Sequence, residues 1–210
     1  RMRILLAGWS SGPPSFAWVV TLGTACAPDL TTGAIAGQPG YGVPDGVLAS
    51  LKSLAAAAAD ASSLAELLGI EGTAARIYFD NFDRMISPDC GFGVEFLVHG
   101  RSRRPPPDPV NATLGFCYAL LTKDLVATLV GVGLDPYLGV LHRSRYGRPA
   151  LALDLAEEFR ALIAESVTLQ CLNNGEVREA HFVRRSLGVH LTDSGRKAVS
   201  RHTNAGWRRN

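Results

Sequence analysis

The feature that most constrains this chain is Asp108-Pro109 leading into VNATLGFCYALLTKDLVATLVGVG. An aspartate can accept a free backbone amide at a helix start, and proline suits the first helical position, where its missing N–H is not needed. The apolar run behind this cap predicts a long helix. At 210 residues the chain is one domain, or one with a small appendage, and can bury a sizeable core around it.

The remaining segments predict a mainly α fold with a few short strands. Residues 1–46 are rich in Gly, Pro, Thr and Ser and show no sustained period, so they form an atypical N-terminal segment. From Val47, VLASLKSLAAAAADA predicts an alanine-rich helix. Ser63-Leu-Ala-Glu66 is a capping box opening a second helix that runs to about Phe82. CGFGVEFLVHG, residues 90–100, predicts a strand and turn, and RSRRPPPDP an exposed basic linker stiffened by proline. A further helix is expected from about Leu153 to Leu172, ending before Asn173-Asn174-Gly175. FVRRSLGVHLTDSGRKAVS then predicts two short strands near 182–191 and a helix. The expected domains are a 1–46 N-terminal segment, a 47–199 helical domain and a 200–210 basic tail.

Charge and cysteine use narrow the setting. The formal net charge is only +2. From His99 to Arg148, however, seven Lys and Arg face three Asp, and from Asn174 onward eight face three acids. Two such basic regions suit a polyanion, and they also suit ordinary solvated surface. Cys26, Cys90, Cys117 and Cys171 are scattered, with no CxxC pair and no Cys/His spacing of a zinc site. Cys117 and Cys171 read as packed thiols, which points to a reducing compartment, most simply the cytoplasm. No uninterrupted apolar run reaches the roughly 18 residues of a membrane span. The RMR start before FAWVVTLGTACA loosely imitates a signal peptide, but Ser10, Ser11, Gly12, Pro13 and Pro14 interrupt it.

Two acids stand on apolar backgrounds. At about 100° per residue, Leu64, Leu67, Leu68, Ala75, Tyr78 and Phe82 fall within about 60° of Glu71. Gly69 and Gly72 flank it and clear space for another backbone or a ligand. On the later helix Asp154, Glu158 and Glu165 form an acidic strip that reads as the solvated face. Leu155, Phe159, Leu162 and Ile163 read as its core stripe. Glu157 is turned away from both, toward Leu153, Ala161, Ala164 and Cys171. Buried acids have two common explanations: pairing with an arginine such as Arg76 or Arg160, or convergence with His142 on a cation. His99, His181, His190 and His202 lack such a setting and read as surface residues.

LGIEGTAARIYF, PPPDPVNATLGFCYALL, GLDPYLGVLHRSRYGRPALALDLAEEFR and GVHLTDSGR, in that order, resemble the CRISPR-associated integrase family of spacer acquisition, Cas-one. The resemblance spans about Val47 to Val199. It implies a helical catalytic lobe holding one divalent metal, Mg²⁺ or Mn²⁺, with Glu71, His142 and Glu157 as catalytic and metal-binding residues. Asp154 falls where members often have a second acid near the metal, supporting rather than ligating. Arg103, Arg104, Arg143, Arg145 and Arg148 are the DNA-binding candidates. The implied chemistry is phosphodiester cleavage and transesterification joining captured DNA to a repeat array, as a homodimer with the companion protein Cas-two and without a membrane. The family's β-rich lobe is not recognisable in residues 1–46. Two other readings stand beside this one. One is a catalytically silent fragment that only binds DNA or partner proteins. The other is an unrelated helical DNA-binding module using FVRRSLGVHLTDSGRKAV as a small winged element.

Overall fold

The computed structural model describes residues 44–102, 104–140, 142 and 145–207, with backbone alone for residues 45, 64 and 204–207. The N-terminal segment up to residue 43, with its signal-like stretch and Cys26, lies outside the described residues, as do Arg103 and Arg143. The described chain is mainly helical. In order it contains α1 (Asp45–Ala59), α2 (Leu64–Phe79), two short 3₁₀ turns, α3 (Gly93–His99), α4 (Pro109–Gly131) and α5 (Ala150–Phe159). A π-helical segment (Arg160–Glu165) joins α5 to α6 (Ser166–Asn173). The hairpin β1 (Phe182–Arg185) and β2 (Gly188–Leu191) comes next, and then α7 (Asp193–Trp207).

Helix starts obey the local chemistry. Ser63 caps α2 by accepting the Glu66 amide at 3.2 Å. The Glu66 carboxylate returns one residue further back than a capping box prescribes, accepting from the Ser62 amide and hydroxyl, each at 2.9 Å. At the start of α4 the Asp108 carboxylate accepts the Asn111 amide at 2.8 Å, with Pro109 in the first helical position. Asn111 is itself buried and uses its whole amide. Its Nδ2 donates to Gly100 O and Asp108, while its Oδ1 accepts from Arg101 and the Ser102 amide. This knot fastens the proline linker to the first turn of α4.

α4 is the central helix: α3, α5, the π segment, α6, β2 and α7 all pack against it. Its first six residues, Pro109 to Leu114, are all buried. Among the described residues it is the one helix long and apolar enough to cross a membrane by length and composition. Uninterrupted apolar runs do not reveal this, because Lys123 and Asp124 break the run. Here the helix serves as the core of a bundle.

The strand expected at 90–100 is instead a 3₁₀ turn followed by α3. Phe92 and Phe96, four residues apart, lie on one helical face. Phe92 meets Phe182 edge-on at 5.5 Å, and Phe96 lies 5.4 Å from Phe82, within a cluster that includes Tyr78 and Phe79. A strand would have sent alternate side chains to opposite faces and split this pair from its cluster. The hairpin near 182–191 forms as expected, antiparallel, pairing Phe182 with Leu191 and Arg185 with Gly188. Gly188, at φ 117°, lets the hairpin dock on the linker, since an added Cβ would lie 2.6 Å from Pro106 O. The Val189 amide donates to that same carbonyl at 2.8 Å.

Candidate metal centre around helix α5

The loop joining α4 to α5 is folded tightly onto the first turns of α5. Gly139 permits this, because a Cβ there would lie 2.5 Å from the Ala150 Cβ and 2.7 Å from His142 O. The acid beneath the loop is Asp154, with no solvent exposure. Its Oδ2 accepts the Val140 amide at 2.6 Å, and its Oδ1 accepts the His142 amide at 2.9 Å. The same Oδ1 meets His142 Nδ1 at 2.7 Å. A carboxylate already accepting two amides places the imidazole proton on the nitrogen that faces it. In the neutral ring this leaves Nε2 as the free electron-pair donor, the arrangement by which a carboxylate orients a metal-binding histidine.

Glu157 lies three residues further along α5, largely buried, and accepts from Arg160 at 2.6 Å. The Arg160 guanidinium also sits over the Tyr118 ring, 4.8 Å from its centre. Tyr118 donates its hydroxyl to Glu165 Oε1 at 2.5 Å. Arg101 covers the same ring at 5.3 Å. Burial pushes the Glu165 carboxyl above the ordinary carboxylate range, against the opposing pull of Arg160 and the Tyr118 hydrogen bond. A buried polar seam therefore runs from Glu157 through Arg160 and Tyr118 to Glu165.

This arrangement corrects the expected solvated strip. Asp154 and Glu165 are fully buried, and Glu158 is half-buried. Asp154 is covered because the loop carrying Val140 and His142 folds over it, a contact that helical periodicity does not contain. Glu165 is turned inward by the π segment, whose wider turns break the regular helical step across residues 160–165. The core stripe is corrected in part, since Leu155, Phe159 and Ile163 do pack against the core while Leu162 does not. Leu162 is exposed and Leu155, Phe159 and Ile163 are half-buried, whereas Ala152, Ala156, Ala161 and Ala164 are buried against neighbouring elements. Small residues face the bundle because they let its helices approach closely.

Glu71 lies in the middle of α2, half-buried, on the face that carries the buried Leu67 and Tyr78. An added Cβ at Gly69 or Gly72 meets nothing within 4 Å. The space beside these glycines is open, and no other backbone among the described residues fills it. Arg104 and Arg145 are exposed, and Arg148 is half-buried with its amide donating to Arg145 O at 3.0 Å.

One group of potential ligands has almost no signature in the sequence. Among the described residues, donor atoms of Cys171, Glu176 and His202 lie within 4.8 Å of one another. Cys171 is packed as expected, but His202 is a partner of Glu176 at 3.0 Å rather than a plain surface residue. The local signal is the turn at Asn173-Asn174-Gly175 that folds Glu176 back toward Cys171; nothing local points to His202.

A family profile described as CRISPR associated protein Cas1 matches residues 43–205. The chain belongs to the Cas1 family. A Geobacter sulfurreducens protein named as a CRISPR-associated exonuclease Cas4/endonuclease Cas1 fusion is 53% identical over 154 residues, 73% of this chain and 28% of that protein. The solved structure of a CAS1 protein from Thermotoga maritima superposes with a TM-score of 0.72 at 27% identity, covering 93% of this chain and 59% of that one. A chain of a partial Cas6-RT-Cas1–Cas2 complex shares the fold, with a TM-score of 0.75 at 23% identity, covering 94% and 57%. This Cas1 chain thus spans between about a quarter and three fifths of the length of these relatives.

Proposed function

We propose that this Cas1 chain is the catalytic lobe of a divalent-metal-dependent DNA endonuclease and integrase of CRISPR adaptation. The observation that carries the reading is the Asp154–His142 pair, which aims a ring nitrogen away from its own carboxylate support beside the helix that bears Glu157. Glu71, His142 and Glu157 would hold the ion. Two carboxylates and one imidazole suit Mg²⁺ or Mn²⁺, which prefer oxygen donors and accept imidazole. When bound, the ion supplies charge stabilisation at the phosphate oxygens during cleavage and joining.

The chain's own residues do the rest. Asp154 keeps the proton on His142 Nδ1 and fixes the ring. Arg160 pairs with Glu157 and orders it in a part-buried site. Arg104, Arg145 and Arg148, with Arg103 and Arg143, contact DNA phosphates. In joining, a 3′-hydroxyl of the captured fragment would bond to phosphorus and give its proton to solvent, while the P–O bond to the repeat strand's 3′ oxygen breaks and that oxygen takes a proton from solvent to become a free 3′-hydroxyl. The partners in this reading are double-stranded DNA, a second Cas1 copy and Cas2, and the setting is the cytoplasm. The relative named as an endonuclease and the Cas1–Cas2 assembly that shares this fold support it.

The test is Mn²⁺-stimulated nicking of duplex DNA by the chain and by Glu71→Ala, His142→Ala and Glu157→Ala. Each substitution should abolish nicking and leave salt-sensitive DNA affinity in place. Absence of nicking by this chain, under conditions where a longer relative nicks, assigns it instead as a silent DNA-binding fragment.

A further inference from the structure

The Cys171, Glu176 and His202 group is built from three separate elements. Cys171 lies in the last turn of α6 with no solvent exposure. The turn after α6, with Gly175 at φ 66°, brings the Glu176 amide onto Cys171 O at 3.0 Å and so folds Glu176 back over the helix end. α7 packs against α6 and supplies His202. Cys171 Sγ lies 3.9 Å from Glu176 Oε2. His202 Nδ1 lies 3.0 Å from both Glu176 carboxylate oxygens.

The other face of the ring decides what this arrangement needs. His202 Nε2 meets Gln170 Oε1 at 2.9 Å, and the Gln170 amide is itself oriented by donating to Ser166 Oγ at 2.9 Å. With the imidazole proton on Nε2, the Nδ1 lone pair faces two carboxylate oxygens. Electron-rich groups this close are reconciled either by a second ring proton or by a metal cation between them. The adjacent Cys171 thiol donates to Glu176 Oε2 at 3.9 Å and, once deprotonated, supplies a third donor for a metal.

We propose that Cys171, Glu176 and His202 form a second metal site, for Zn²⁺, that clips α7 to α6. Zinc binds sulfur at about 2.3 Å and imidazole or carboxylate at about 2.0–2.2 Å, so its donors stand roughly 3–4 Å apart; the Glu176 distances to Cys171 and His202 match this, and all three donor atoms lie within 4.8 Å of one another. Glu176 and His202 are part-exposed, so solvent can supply a fourth ligand. The thiol donor separates this site from an oxygen-rich Mg²⁺ or Mn²⁺ centre. Gln170 takes the role that carboxylates or carbonyls commonly take behind a metal-bound histidine. Burial pushes the Cys171 thiol well above its ordinary range, so its proton leaves to solvent only as the metal arrives.

The experiment uses the full chain stripped with a chelator and titrated with Co²⁺, then Zn²⁺. Expected are thiolate-to-cobalt charge-transfer absorption saturating at one equivalent, its displacement by Zn²⁺, and a rise of several degrees in Tm with Zn²⁺. Cys171→Ala should remove the charge-transfer band, and Gln170→Ala should keep it with about tenfold weaker affinity. His202→Gln, at a part-exposed position, serves as the second ligand variant and should also lose Zn²⁺ stabilisation. Glu71→Ala should leave the band intact, so this site and the proposed nicking centre fail or stand separately. No charge-transfer band in the wild-type chain, or a Zn²⁺ shift in Tm unchanged in both ligand variants, overturns the proposal. That result leaves an imidazole–carboxylate pair beside a buried thiol.

Discussion

α2 and α5 both carry acids that the sequence sets among apolar residues, yet they hold them differently. Glu71 on α2 is half-buried on the face of a regular helix, and the two nearby glycines border open space. Asp154 and Glu157 on α5 are bound into buried structure, one by a histidine and two backbone amides, the other by Arg160. An acid on a regular helix is placed by the helix itself, through its fixed angular step. An acid under a loop is part of the fold, so its loss damages stability and site together.

The largest expected effect tests this contrast directly. Asp154→Ala removes a fully buried carboxylate that accepts the part-buried Val140 and His142 amides and holds His142 Nδ1, and should cost about 3 kcal/mol of unfolding free energy. Glu71→Ala, at a half-buried position on a regular helix, should cost less, about 1–2 kcal/mol. Urea unfolding of both variants beside their Mn²⁺-stimulated nicking separates the cases: equal stability losses would erase the distinction between the two helices. Next comes Gly139→Ala, whose methyl meets Ala150 and His142 O below contact distance. It should cost about 1–3 kcal/mol as an overpacked site and lower nicking by displacing His142.

Glu165 sharpens the comparison through pH. Its carboxyl is raised by burial in the fold, while in the unfolded chain it titrates near the ordinary value of about 4.3. Between those two values the native protein keeps a proton that the unfolded chain has lost, so stability falls as pH rises through that window. Glu165→Gln retains an acceptor for Tyr118 and should flatten this slope, read from urea midpoints across acidic to neutral pH. The smallest effect is Gly72→Ala. With nothing within 4 Å, the methyl should stabilise α2 by about 0.5–1 kcal/mol. If the open space beside Gly72 receives substrate, nicking should fall even as Tm rises.

The parts of the fold legible in the sequence are those with local causes. Ser63 and Asp108 announce helix starts because a cap bonds within three residues. Glu71 stands out because α2 is a regular helix, so a fixed angular step places it correctly on the face of Leu67 and Tyr78. The same arithmetic fails beyond Arg160, where the π segment changes the step and turns Glu165 inward. It fails at Val94 to His99 too, where apolar residues fit strand and helix alike and only Phe82 and Phe182 decide between them.

The amino-acid sequence by itself determined the helical character, the central capped helix, the terminal hairpin and, through its motifs, the family. Each of these rests on interactions within a few residues or on patterns shared by relatives. Only the tertiary structure decided that Asp154 lies under the His142 loop, that Glu157 and Glu165 share a seam through Arg160 and Tyr118, and that His202 reaches Glu176 from a separate helix. Apart from the local Glu157–Arg160 pair, those contacts join residues 12 to 47 positions apart, and they form because α4 gathers the other elements around it, which no local period encodes.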